Sequence, residues 1–137
     1  MKIAVRYFSR SGNIKKLAQA VADAVQAEAL EVSADLSEKA DVLFLGSAVY
    51  AGKYDPAVGA FIERNAANIG ALAVFSSSAS GKSTYAKIKE LAQSKGIRVC
   101  EEQFVCPGYF LFLHKDRPNA RDLADAADFA RKVGGKS

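Results

Sequence analysis

The chain has 137 residues, half hydrophobic and a quarter charged, as expected of a single globular domain (1–137) able to bury one sizeable core. Two cysteines, Cys100 and Cys106, are too few for a disulfide scaffold, and with the single histidine, His114, they make a poor metal site. The net charge is +4, with eight basic and eight acidic side chains in residues 1–70 and eleven and seven in residues 71–137. A surplus that small argues against a nucleic-acid partner.

No apolar run approaches the ~20 residues of a membrane span, and strand-like residues begin where a signal peptide would stand. The expectation is a cytoplasmic protein with no membrane partner and no metal.

The first predicted strand, 2–8, contains the apolar run Ile3-Ala-Val-Arg-Tyr-Phe8 and breaks into Ser9-Arg-Ser-Gly-Asn13. A helical pattern follows at once, with Ile14, Leu17, Ala18, Val21, Ala22 and Val25 on one face. A strand that empties through a hydroxyl- and glycine-rich turn into a helix N-terminus makes an anion-binding cup. The first helical N–H groups have no partner inside the helix, and the dipole adds partial positive charge. Gly12 permits positive φ or close approach, and Ser9, Ser11 and Asn13 add donors. The same residue types also serve as plain helix caps.

A second strand is predicted at about 29–33, and residues 34–40 leave room for a turn or two of helix at most. Val42-Leu-Phe-Leu45 lies in the third strand, 41–46, and Ala71-Leu-Ala-Val-Phe75 in the fourth, 70–75. Both are continuous apolar runs, the pattern of central strands covered on both faces. Between them, Asp55 and Pro56 are the N-cap and first residue of a second helix, with Val58, Phe61 and Ile62 inward. A third helix runs from about Ser83 to Ser94, with Tyr85, Ile88, Leu91 and Ala92 on one face, ended by Lys95-Gly96. Its Lys87 and Lys89, with Lys82 and Lys95, read as a solvated face. The fifth strand, 97–105, alternates loosely and suits a sheet edge. Tyr109-Phe-Leu-Phe-Leu113 fits a strand extension or a buried loop equally well. The last helix runs from about Asn119 to Val133, with Leu123, Ala126, Ala127, Ala130 and Val133 inward.

Alternating β and α segments imply a parallel sheet, whose ligands bind beyond the carboxyl ends of the strands. The turns after strands one, three and four therefore belong together. The second of them, Gly46 to Asp55, is long and apolar, and its Tyr50 or Tyr54 either stacks on a planar ligand or packs on its own loop. The third, Ser76-Ser-Ser-Ala-Ser-Gly-Lys-Ser-Thr84, offers hydroxyls to the polar edge of a heterocycle. Gly81-Lys-Ser83 also matches the end of a P-loop, but Ser76 stands where the first glycine belongs, and no strand ends in the Asp that magnesium needs. A response-regulator reading fails on Ser9 and Arg10, where acidic residues are required.

Taken together, these loops resemble the flavodoxin family, in its short-chain bacterial form, along essentially the whole chain. The resemblance is carried by Tyr7-Phe-Ser-Arg-Ser-Gly-Asn-Ile-Lys-Lys-Leu-Ala18, Gly46-Ser-Ala-Val-Tyr-Ala-Gly52 and Phe75-Ser-Ser-Ser-Ala-Ser-Gly81. Phe104-Val-Cys-Pro-Gly108 and Arg117-Pro-Asn119 extend it. It implies a doubly wound α/β sandwich on a five-stranded parallel sheet of order 2-1-3-4-5, with non-covalent FMN as cofactor. The phosphate would sit on Ser9, Arg10, Ser11, Gly12, Asn13 and Ile14. The ring would lie between Ala48, Val49, Tyr50, Ala51, Gly52 and Lys53 on one side and Ser76, Ser77, Ser78, Ser80 and Gly81 on the other, with Tyr50 stacking.

Three functions follow from that resemblance. The first is an electron carrier docking redox partner proteins. The second is a small FMN oxidoreductase of the quinone reductase or protoporphyrinogen oxidase type, and the third a flavin-free binding module. Carriers of this family are typically acidic, whereas this chain is basic, with Arg10, Lys53 and Lys82 near the expected ring. One cation at ~10 Å in an effective dielectric of ~20 favours an anionic reduced flavin by about 1–2 kcal/mol, so a less reducing flavin is expected. No acid–base pair is evident; His114 reads as a surface residue and Cys106 as a packing one.

Overall fold

The apolar runs become the middle of a five-stranded parallel sheet. The computed structural model describes residues 1–8, 12–48, 54–77, 84–106 and 118–134, with Asn13 described by its backbone alone. The strands are β1 (Ile3–Phe8), β2 (Ala29–Glu31), β3 (Val42–Ala48), β4 (Ala71–Ser77) and β5 (Arg98–Cys106), in the spatial order β2-β1-β3-β4-β5. The helices are α1 (Asn13–Ala24), α2 (Pro56–Asn65), α3 (Tyr85–Ser94) and α4 (Ala120–Gly134). Strand order reverses between β1 and β3, the switch point at which open α/β sheets bind ligands.

Two apolar layers flank the sheet. Val5, Tyr7, Phe44, Ala73 and Phe75 face α1 and α4, where Ile14, Leu17, Val21, Ala126 and Phe129 cover them. Leu43, Leu45, Leu72 and Val74 face α2 and α3, under Val58, Phe61, Ile62, Ile88 and Ala92. Every residue of β3 except Ala48, and every residue of β4, is buried, as doubly covered parallel strands require. The edges are β2, three residues long, and β5.

Asp55 caps α2, its Oδ1 accepting the Ala57 amide at 2.9 Å with Pro56 at the first helical position. At α4, Asp122 was absent from the expected inward face. Its Oδ2 accepts the Asn119 amide at 2.9 Å while Asn119 Oδ1 accepts that of Asp122 at 3.0 Å. This reciprocal pair is a capping box and explains why Asp122 is only 5% exposed.

The crossover between β2 and β3 contains turns and no helix. Polar side chains hold it where a helix would have packed. Arg6, on β1 and only 7% exposed, donates to the carbonyls of Ala34 at 2.8 Å, Val5 at 3.1 Å and Asp35 at 3.3 Å. From α2, Arg64 donates to Val32 O and Asp35 Oδ1, and Asn65 both donates to Asp35 Oδ1 and accepts the Leu36 amide. Burial lowers the Arg6 pKa, against the pull of Glu28 and Asp35. Hydrogen bonds from Asn65 and Arg64 hold the Asp35 carboxyl below its usual range.

β5 departs from regular pairing. Leu72 pairs with Val99 but Val74 with Gln103, so the edge strand accommodates two extra residues. The Tyr85 hydroxyl, from α3, donates to Cys100 O at 2.8 Å within that bulge.

Candidate functional site

The strands rise to a crest whose side chains form rows across the sheet. Tyr7, Gly46, Phe75 and Phe104 are register partners in one row, facing α1 and α4. A Cβ on Gly46 would stand 2.1 Å from Phe75 Cε2, so the ring occupies the space the missing side chain leaves. One step higher come Phe8, Ser47, Ser76 and Val105, and at the top Ala48, Ser77 and Cys106.

The two serines of this row, above an apolar floor, are what the hydroxyl-rich turn sequences contribute. Ser47 and Ser76 are both fully buried and both satisfied. Ser47 donates to Ala48 O at 3.1 Å, and Ser76 Oγ lies 2.9 Å from Thr84 Oγ1 across the neck of the segment between β4 and α3. Cys106, 1% exposed, packs in the α1/α4 layer as expected of a packing residue.

At the head of α1, Gly12 is the N-cap with φ +88°, a conformation that side-chain-bearing residues seldom adopt. Among the described residues, a Cβ there would meet nothing within 4 Å. The Lys16 amide donates to Gly12 O at 3.3 Å. By helix geometry, the amides of Asn13, Ile14 and Lys15 have no carbonyl within the helix to receive them. Ile14 is 1% exposed and anchors this first turn in the core. Its contribution to an anion site is thus limited to its backbone.

Of the expected cofactor-binding residues, the structure brings Gly12, Asn13, Ile14, Ala48, Ser76 and Ser77 to this one end of the sheet. Ser9, Arg10, Ser11, Val49, Tyr50, Ala51, Gly52, Lys53, Ser78, Ser80 and Gly81 lie outside the described residues, as do His114, Lys82 and the 109–113 segment. Tyr54 is described, and it packs into the α2/α3 layer with its ring against Gly59.

Asp55 and Asp122, at the starts of α2 and α4, both cap helices, while Glu31, the register partner of Tyr7 at the end of β2, is exposed. No group of three or more metal-ligating side chains occurs among the described residues, and none of their helices is long and apolar enough to cross a membrane. A cavity of about 720 Å³ lies at the opposite end of the sheet, against Asp41, Gly70, Arg98 and Val133. It is remote from the switch point.

Comparison with known proteins agrees with this geometry. A family model described as a flavodoxin domain matches residues 4–105. An uncharacterized protein of Methanocaldococcus jannaschii is 28% identical, the match covering 97% of this chain and 98% of that one. Among solved structures, a flavodoxin from the domain Archaea superposes with a TM-score of 0.79 at 20% identity, covering 99% and 98% of the two chains. Oxidised flavodoxin 1 from Bacillus cereus gives a TM-score of 0.76 at 20% identity over 100% and 99%.

Proposed function

The chain belongs to the flavodoxin family, and on that premise we propose that it binds FMN non-covalently at the crest and carries electrons between redox partner proteins. The observation that carries the reading is the head of α1, where Gly12 at φ +88° precedes three amides that have no carbonyl partner within the helix. That donor set fits a phosphate dianion. Serine hydroxyls at the β4 end suit the polar edge of a flavin.

In this reading Ser9, Arg10, Ser11, Gly12, Asn13 and Ile14 hold the phosphate. Ala48 to Lys53 and Ser76, Ser77, Ser78, Ser80 and Gly81 flank the ring, with Tyr50 stacked on it. The flavin, when bound, supplies the redox chemistry. The protein orients the ring, and its Arg10, Lys53 and Lys82 favour added negative charge there, which makes the reduced cofactor a weaker reductant than in an acidic relative.

A carrier is favoured over an FMN oxidoreductase because Asp55 and Asp122, described at this end, are engaged as helix caps. The test is titration of the protein into FMN, read by flavin fluorescence, for the wild type and Gly12→Val. The variant forces a β-branched residue to positive φ, so binding should weaken at least tenfold. Equal binding by the two proteins would place the phosphate elsewhere. No binding by either would leave a flavin-free module.

A further inference from the structure

Ser76 and Ser77 end β4 side by side but face opposite ways. Alternation along the strand sends Ser76 to the α2/α3 side with Leu72 and Val74, and Ser77 to the α1/α4 side with Ala73 and Phe75. Ser76 is fully buried, and its hydroxyl is paired with Thr84 Oγ1 at 2.9 Å. That hydroxyl is engaged inside the protein, so what Ser76 contributes to a cofactor is indirect.

Thr84 gives up a local role to make this contact. It stands at the N-cap of α3, where a threonine oxygen ordinarily accepts an amide of the first turn, and it makes no such bond. Its backbone is already helical, with φ −84° and ψ −2°, and its carbonyl accepts the Ile88 amide at 3.0 Å. The hydroxyl turns to the neighbouring strand instead. The next residue, Tyr85, donates its own hydroxyl to Cys100 O at 2.8 Å within the β5 bulge. Two consecutive hydroxyls thus tie the start of α3 to β4 and to β5. A side-chain cap would stabilise the helix alone, whereas these bonds fix where the helix starts against the sheet.

We propose that Thr84 is a positioning residue of the cofactor site, holding the end of β4 through Ser76. The proposal rests on the FMN-binding reading, which puts this end of β4 at the edge of the ring. Thr84 is itself fully buried and touches no ligand. Beyond Ser76 comes Ser77, which joins Ala48 and Cys106 in the top row of the sheet. A buried hydroxyl pair is directional, and moving the end of β4 away from α3 breaks it with no water to replace the lost partner. Groups held in place before a ligand arrives lose less freedom when it binds.

The experiment titrates wild type, Thr84→Val, Thr84→Ser, Ser76→Ala and Asp35→Asn into FMN, read by flavin fluorescence and by the visible spectrum of the bound flavin. Urea unfolding of each apoprotein first establishes that it is folded under these conditions. Thr84→Val keeps the shape of the side chain and removes the hydroxyl. It and Ser76→Ala should each weaken FMN binding about five- to tenfold and shift the bound spectrum in the same direction. Thr84→Ser restores the hydroxyl and should bind within about twofold of the wild type. Asp35 bonds Arg64 and Asn65 in the last turn of α2, away from the crest. Asp35→Asn should therefore lose stability and still bind FMN as the wild type does, which separates positioning from stability.

FMN binding by Thr84→Val equal to that of the wild type would overturn the proposal and leave the flavin reading standing. So would a loss confined to Ser76→Ala, because Ser76 would then act on the cofactor without Thr84. An equal loss in Asp35→Asn would reduce the effect to stability and overturn it as well. No FMN binding by the wild type would remove the flavin reading and the proposal together.

Discussion

Ser76 Oγ and Thr84 Oγ1 lie 2.9 Å apart with both residues fully buried, so a single hydroxyl pair ties the end of β4 to the start of α3. The six-residue segment 78–83, which carries the proposed ring-edge donors, springs from this neck. Removing one partner strands the other hydroxyl in an apolar layer. Ser76→Ala should therefore cost about 1–3 kcal/mol in urea unfolding. The double variant Ser76→Ala/Thr84→Val should cost less than the sum of the two single changes, because neither hydroxyl is then left unpaired. Additive losses would mean that the pair contributes nothing as a pair.

Gly46 and Phe75 set the floor beneath the crest. A methyl group on Gly46 would stand 2.1 Å from Phe75 Cε2, inside a layer with no exposed face. Gly46→Ala should lose about 1–3 kcal/mol by overpacking. Shortening the ring in Gly46→Ala/Phe75→Leu should recover part of that loss. A Gly46→Ala protein as stable as the wild type in thermal unfolding would contradict the close approach.

Arg6 spreads its guanidinium over three carbonyls from two segments. Lysine keeps the charge but cannot reproduce the planar fork, so Arg6→Lys should be destabilised by about 1–3 kcal/mol. Full stability in that variant would show that charge alone suffices there.

Asp35 makes the same crossover sensitive to acid. Hydrogen bonds from Asn65 and Arg64 depress its folded-state pKa, so the carboxylate binds protons more readily in the unfolded chain. Its stabilisation is present above the unfolded value near 4 and is lost as pH falls through the lower folded value. Asp35→Asn should be less stable than the wild type at pH 7, and the gap should narrow below pH 4. A gap that stays constant from pH 7 to pH 3 would exclude this linkage.

Much of this was legible in the sequence, for a physical reason in each case. Continuous apolar runs at Val42–Leu45 and Ala71–Phe75 allow no exposed face, so they had to be central strands. The 3.6-residue spacing from Ile14 to Ala22 had to be a helix lying on them, and Asp55-Pro56 had to start α2. The turn at Gly12 was visible because only glycine takes that φ without strain. The interactions that span long sequence separations left no such local signal. Arg6 sits in an apolar run, and its partners Ala34 and Asp35 are nearly thirty residues away. Ser76 looks like any loop serine until Thr84 is brought against it. The bulge in β5 shows only in the pairing of Val99 and Gln103 with β4.

Periodicity and turn chemistry, read along the chain, thus determined the elements, their order and which turns follow the carboxyl ends of the strands. Tertiary structure alone decided which polar groups are buried together. A buried polar pair is stabilised by a partner in space, and spacing in sequence does not encode that distance.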